Sequence, residues 1–151
     1  MGLKEYLKKR NLKKSGEPEA VIKKSGKNIF VVQEHHASHL HWDLRISMNG
    51  VLKSWAIPKV PPKTKGIKRL AISVEDHPIS YAKFEGEIKE GYGKGTVKIW
   101  DKGTYELIWQ DKKKIEFELF GEKLKGKYVL VKTSYGKSEE QKKKSWLFMK
   151  I

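Results

Sequence analysis

The chain contains no cysteine, which excludes a disulfide framework and thiolate-bound zinc and suits a reducing compartment. No stretch approaches the ~18 consecutive apolar residues of a membrane-spanning helix. The opening Met1-Gly2-Leu3-Lys4 leads into no signal-peptide core, so a cytoplasmic location with no membrane partner is expected. Proline is sparse, at five in 151 residues, and no Gly-, Pro- or Ser-rich linker divides the chain. One domain is therefore expected over residues 1–151, since ~100–200 residues is the usual size of one. It comprises a basic N-terminal segment at 1–28, a core at 29–133, a Lys-rich loop at 134–144 and a final strand at 145–151.

Acidic residues are also few. Eighteen Asp and Glu face 33 Lys and Arg, leaving a formal charge of +15. The excess sits at the ends: residues 1–28 and 122–151 each carry nine basic side chains against three acidic ones. Basic ends on a nearly neutral body suit a polyanion such as nucleic acid, although solubility alone would explain them equally well. The familiar phosphate-handling signatures are missing too. The chain has no Gly-x-x-x-x-Gly-Lys-Ser/Thr loop, no Asp-x-Asp pair, no Lys-x-Asp-Gly and only a single His-x-Ser.

Histidine is rare but concentrated. Four of the five lie at His35, His36, His39 and His41, the last opening His41-Trp42-Asp43-Leu44-Arg45. The surrounding pattern is strand and turn. Leu40 to Met48 alternates, Asn49-Gly50 is a strong hairpin signal, and Val51 to Ile57 returns. A two-residue turn there pairs Leu44 with Trp55, Trp42 with Ile57 and Arg45 with Ser54, giving one apolar and one polar face. Further strands are expected at Leu70–Val74, Thr96–Trp100, Thr104–Ile108, Ile115–Phe120, Lys127–Lys132 and Trp146–Lys150, with a tight turn at Asp101-Lys102-Gly103. On the first of these, Arg69, Ala71, Ser73, Glu75 and His77 form a polar series. Many short strands and little helix predict an all-β, mainly antiparallel chain: a compact barrel or sandwich. A short basic helical segment is expected in residues 3–14.

Residues two apart on a strand share a face. His41, Asp43 and His35 can therefore ligate one manganese, iron, zinc or cobalt ion. Arg45, Lys59 and Arg69 can neutralise a phosphate. His77 can donate a proton or hydrogen bond to it, while His36 and His39 read as bystanders. An ion-paired strand face would look the same in sequence. Two rival functions are a non-catalytic basic β-barrel that binds nucleic acid and a metal-free ribonuclease using two histidines.

Gln33-Glu34-His35-His36-Ala37-Ser38-His39-Leu40-His41-Trp42-Asp43-Leu44-Arg45 resembles the signature of the 3′-phosphoesterase domain of bacterial DNA ligase D. The likeness continues through Gly50 to Lys59, Lys68 to Ala71, Val74-Glu75-Asp76-His77-Pro78 with Tyr81, and Phe84-Glu85-Gly86. It also takes in Tyr92-Gly93-x-Gly95-Thr96-Val97 and Gly121-Glu122-Lys123-Leu124-Lys125-Gly126. The resemblance implies a β-barrel whose manganese-dependent site trims 3′ ends of DNA, or of RNA-tipped DNA in a primer-template. A terminal ribonucleoside is removed first, and then the 3′-phosphate. It implies His35, His41 and Asp43 as ligands of Mn²⁺, with Co²⁺, Zn²⁺ or another divalent metal as substitutes. Gln33, Arg45, Ser54, Lys59, Arg69, His77 and Tyr81 then line the phosphate site, with Arg10 and Glu17 in support. Asn11, Ser38-His39, Trp42 and Ser47 depart from the family's usual residues, and the glycine turn is one residue short. The length leaves no room for ligase or polymerase domains, which implies a free-standing form with any ATP-dependent DNA ligase and polymerase on separate chains.

Overall fold

The computed structural model describes residues 2–20 and 27–151; Lys23 and Lys24 of the basic N-terminal segment lie outside the described residues. Its strands are β1 (Ile29–His36), β2 (Leu40–Met48), β3 (Val51–Ile57), β4 (Arg69–Pro78), β5 (Gly86–Ile88), β6 (Gly95–Gln110), β7 (Lys114–Phe120), β8 (Lys125–Lys132) and β9 (Ser145–Lys150). Short helices α1 (Lys4–Lys8), α2 (Leu12–Ser15) and α3 (Glu139–Lys144) and a 3-10 turn (Ile79–Lys83) complete it. The strands run β1-β2-β3-β4-β9-β8-β7-β6, and β6 pairs back onto β1, closing an antiparallel barrel with β5 added to β6. This is the all-β barrel with a short N-terminal helical segment that the sequence predicts. Among the described residues no helix is long and apolar enough to cross a membrane.

The β2–β3 hairpin sets the frame. Asn49 and Gly50 have φ of 54° and 83°, the pair of positive values that a type I′ turn requires. The turn imposes the expected register of Leu44 with Trp55, Arg45 with Ser54 and Trp42 with Ile57. Leu44, Ile46, Trp55 and Ile57 then face inward onto Phe117, Tyr128, Leu130 and Phe148 in the buried core.

On β4 the expected alternation fails at one place. Ser54 pairs with Val74 but Leu52 pairs with His77, so β4 carries one extra residue between them. Such a bulge reverses the phase of everything beyond it. Arg69 keeps the phase of the core residue Ala71, whereas His77 joins Val74 on the outer face.

The turn predicted at Asp101-Lys102-Gly103 is absent, because β6 runs unbroken from Gly95 to Gln110. Its first half pairs with β1 and its second with β7. Asp101 is buried and serves another turn: its carboxylate accepts hydrogen bonds from the backbone N–H groups of Glu122, Lys123 and Leu124 at 2.8–3.2 Å. Likewise the Lys-rich stretch read as a loop holds α3, since Ser138 caps it by accepting from Gln141 N and Glu140 pairs with Lys144.

The outer face of β1–β4 is divided. At one end Leu3 and Tyr6 of the N-terminal segment, with Tyr81 and Ala82 of the 3-10 turn, bury Val31, Val51 and Leu52. The other end stays open, and the polar row of β1 and β2 lies there.

Replacing Asp101 by Ala removes the acceptor of three backbone donors and should cost on the order of 2–4 kcal/mol. Urea denaturation should show a lower midpoint at unchanged slope; an unchanged midpoint would refute the role given to this carboxylate.

Candidate metal and phosphate site

The register of β1 against β2 pairs His35 with His41, Gln33 with Asp43 and Val31 with Arg45. Two-residue alternation puts His35, His41, Asp43 and Arg45 side by side on the open face. One ligand atom each from His35, His41 and Asp43 lies within 4.8 Å of the others. Asp43 Oδ2 is 3.5 Å from His35 Nδ1, 3.2 Å from His41 Nε2 and 3.4 Å from Arg45 Nη2.

Backbone carbonyls decide which ring nitrogens are free. His35 Nε2 lies 2.6 Å from Gly93 O and His41 Nδ1 lies 3.1 Å from His39 O. A carbonyl only accepts, so those nitrogens carry the hydrogens. In the neutral rings the lone pairs of His35 Nδ1 and His41 Nε2 therefore face the Asp43 carboxylate. Two lone pairs and an anion converging on one point repel one another until a proton or a cation sits among them. Two imidazole nitrogens and one carboxylate oxygen suit a divalent ion of the manganese-to-zinc series.

The charges agree. Burial alone would raise the Asp43 carboxyl, but the Arg45 guanidinium and the two imidazoles outweigh it and hold it well below the usual carboxylate range. His41 is opposite in sign: burial lowers it, yet the hydrogen bond and charge of Asp43 leave it raised.

These groups open onto a cleft of about 250 Å³ that Arg10, Glu75, His77 and Tyr92 also line. Arg45 is 4% exposed, and its Nη1 has no hydrogen-bond partner among the described residues. Arg45 lines the cleft, and a buried, unpaired guanidinium N–H there suits an anionic acceptor. Gln33 orients this arginine: its Oε1 accepts from Arg45 Nε at 2.7 Å, while its Nε2 donates to the carbonyls of Tyr81 and Phe84.

On the opposite wall, Arg10 Nε donates to Glu17 at 2.9 Å and Nη1 to Glu75 at 2.8 Å, and Nη2 lies 3.1 Å from His77 Nε2. His77 Nδ1 donates to Glu75 O at 2.9 Å, so Nε2 accepts from Arg10 and the ring is neutral. Burial and the charges of Arg45 and Arg10 agree, placing His77 well below its ordinary 6.5. The Tyr81 hydroxyl donates to Glu17 Oε2 at 2.6 Å. Burial and that carboxylate raise its pKa, so it stays a neutral phenol.

Of the residues the sequence singles out, His35, His41, Asp43, Arg45, His77, Tyr81 and Arg10 line the cleft. Gln33 and Glu17 stand behind it through Arg45, Arg10 and Tyr81. Ser54 is buried, its hydroxyl donating to Leu52 O at 3.1 Å. Lys59 and Arg69 lie on a separate cleft with Tyr135 and Leu147, and Arg69 Nε donates to Val60 O at 2.7 Å. Arg69 shares the phase of the core residue Ala71, and the bulge of β4 brings His77 alone of the two onto the open face. His36 is exposed and pairs with Glu34, and His39 contributes its carbonyl alone.

Glu75, Tyr92 and Gly93 were not singled out. Gly93, read as a turn glycine, has φ of 79°, and a Cβ there would lie 3.2 Å from His35 Cε1. The aromatic in Gly91-Tyr92-Gly93 was the available signal. Lys9 and Arg10 lie over its ring, at 4.7 and 5.5 Å from the centroid.

The model of the DNA ligase D 3′-phosphoesterase domain matches residues 33–132, which hold the whole His35–Asp43–Arg45 row and His77. The chain belongs to this family. The multifunctional non-homologous end joining protein LigD of Pseudomonas aeruginosa is 40% identical over 157 residues, spanning 98% of this chain and 18% of that protein. Its counterpart from Mycolicibacterium smegmatis is 42% identical over 159 residues, spanning 94% of this chain and 19% of its own. The non-homologous end joining DNA repair protein LigD of Mycobacterium tuberculosis is 42% identical over 139 residues, 87% of this chain and 18% of that protein. The phosphoesterase-domain chain described here thus spans less than a fifth of these relatives.

The neutral His77 makes acid stability a test of the site. As pH falls through 6.5 an unfolded chain takes up a proton at this residue and the folded one does not. Stability is therefore lost from about pH 6.5 downward until the depressed folded value is reached. His77→Gln should lose less melting temperature between pH 7 and pH 5 than the parent protein, measured by circular dichroism. Parallel curves would show that His77 is not held neutral.

Proposed function

We propose that this domain is a metal-dependent phosphoesterase that heals DNA 3′ ends during break repair. It removes a terminal ribonucleoside and then the 3′-phosphate, leaving a 3′-hydroxyl. The observation that carries this reading is Arg45: a buried guanidinium with its Nη1 unpaired and its Nη2 3.4 Å from the carboxylate beside which two imidazoles converge.

His35 Nδ1, His41 Nε2 and Asp43 would hold the divalent ion, manganese in the family's pattern. When bound, such an ion supplies Lewis-acid polarisation of a phosphate oxygen and charge neutralisation. Arg45 and Arg10 bind the phosphate from two sides, each aimed by a buried partner, Gln33 for one and Glu17 for the other. Donors fixed in advance need little reorganisation when negative charge grows on the transferring group. His77 keeps Arg10 aligned through its Nε2 lone pair; as this tautomer has no Nε2–H, proton donation falls to water or another group. Attack of water on phosphorus breaks the P–O5′ bond of the terminal ribonucleoside, releasing the nucleoside and leaving a 3′-phosphate. A second hydrolysis yields inorganic phosphate and the 3′-hydroxyl. The basic N-terminal segment and Lys-rich surface suit DNA, and a separate ligase and polymerase would act on the healed end.

A 3′-labelled primer-template ending in a ribonucleotide or a 3′-phosphate tests this directly. Trimming is expected with manganese and none with EDTA. His41→Ala and Asp43→Ala should each lower the rate more than ~10²-fold with unchanged circular dichroism. EDTA-resistant cleavage, binding without trimming, or full activity in either variant would overturn the reading.

A further inference from the structure

The open face of the barrel does not end at the metal and phosphate cleft. Asp43, Ala56 and Ile72 are successive cross-strand neighbours on β2, β3 and β4. Asp43 and Ala56 line that cleft, whereas Ile72 lines the next depression, which with Leu70 runs on into a groove. Two strand spacings separate Asp43 from Ile72, roughly 10 Å. That is about three stacked nucleotides at their usual rise.

Two adjoining hollows form this groove, of about 470 and 500 Å³, sharing Leu70 and Tyr135. Its walls carry Lys59, Lys68, Arg69 and Lys144, with Glu140 the one acidic side chain lining them, itself paired with Lys144 at 3.3 Å. The charge is therefore positive and its floor apolar. Tyr135 stands over it with 71% of its surface exposed. Its backbone is tied down, since its N–H donates to Thr133 Oγ1 at 3.0 Å and its carbonyl accepts from the Ser145 hydroxyl. An aromatic ring on an anchored backbone, left in water above a basic apolar trough, is the arrangement on which nucleobases stack.

We infer that this groove holds the nucleotides preceding the 3′ end, Tyr135 stacking on a base and Lys59, Lys68 and Arg69 holding the backbone phosphates of the same strand. The inference rests on the phosphoesterase reading for the identity of the strand, but its surface chemistry is independent of catalysis. It gives Lys59 and Arg69 a role on the upstream phosphates rather than on the scissile one. Because every base has a π-face, the groove grips by length and charge rather than by sequence.

The test uses fluorescein-labelled single-stranded oligodeoxynucleotides of two to eight residues ending in a 3′-phosphate. Binding is read by anisotropy, and phosphate release is read separately with manganese. Affinity is expected to climb with length up to about four or five residues and then level. Tyr135→Ala should weaken binding of the longer oligonucleotides about tenfold or more and raise their KM, with no change for the dinucleotide. Lys68→Ala should reduce the slope of log K against log salt by about 0.7. Trp109→Ala, which removes another exposed aromatic on the β6–β7 hairpin, should alter neither. If Tyr135→Ala and Lys68→Ala both bind every length as the parent does, the groove proposal fails, whatever the activity. If binding depends on Tyr135 while no phosphate is released, the groove stands and the phosphoesterase reading falls.

Discussion

A single buried carboxylate organises the open face of this barrel. Asp43 is 5% exposed, where an isolated anion would be very costly. It is tolerated because the Arg45 guanidinium reaches the same oxygen as the two imidazoles, among which a proton or a cation can sit. Arg45 is in turn held by Gln33, and each imidazole by a backbone carbonyl. The site's geometry is thus inherited from the register of β1 against β2. Asn49 and Gly50, whose positive φ values fix the β2–β3 hairpin, set the next pairing, which puts Ala56 beside Asp43 and Ser54 beside Arg45.

The N-terminal segment completes the cleft by packing and not by charge alone. Leu3 and Tyr6 sink into an apolar cluster with Val31, Leu52 and Tyr81. This anchors α1 so that Arg10 arrives opposite Arg45 with its own carboxylate partners, Glu17 and Glu75. Two like charges can then face one cleft without forcing it open, because each is largely neutralised where it is rooted. The neutral state of His77 follows from its burial and then from the same crowding of cations.

What was legible in the sequence is what a period of two or a two-residue turn can express. His41-x-Asp43-x-Arg45 and Asn49-Gly50 gave the polar row of the open face, the hairpin and its facing pairs directly. The β4 bulge was hidden because alternation shows that a face exists but not where one extra residue inverts it, and so Arg69 and His77 read as neighbours. Asp101-Lys102-Gly103 had the composition of a turn, yet the carboxylate caps a turn twenty residues later in the chain, a contact that local pattern does not encode. The helix α3 was masked by its lysines, whose helical pairing with Glu139 and Glu140 depends on the Ser138 cap. Gly93 read as part of a turn; its carbonyl's contact with His35 Nε2 needs the tertiary approach of β1.

The strand that bears His35 and Gln33 is also the one that shuts the barrel, since β1 pairs with β2 on one side and with the distant β6 on the other. Along that second seam His35 lies opposite Val97 and Ile29 opposite Thr104, contacts whose long chain separation makes them slow to form. His35 and the seam thus share one piece of backbone. A cation held by His35, His41 and Asp43 would tie β1 to β2 beside that seam, so its binding and the stability of the closed fold would be thermodynamically linked.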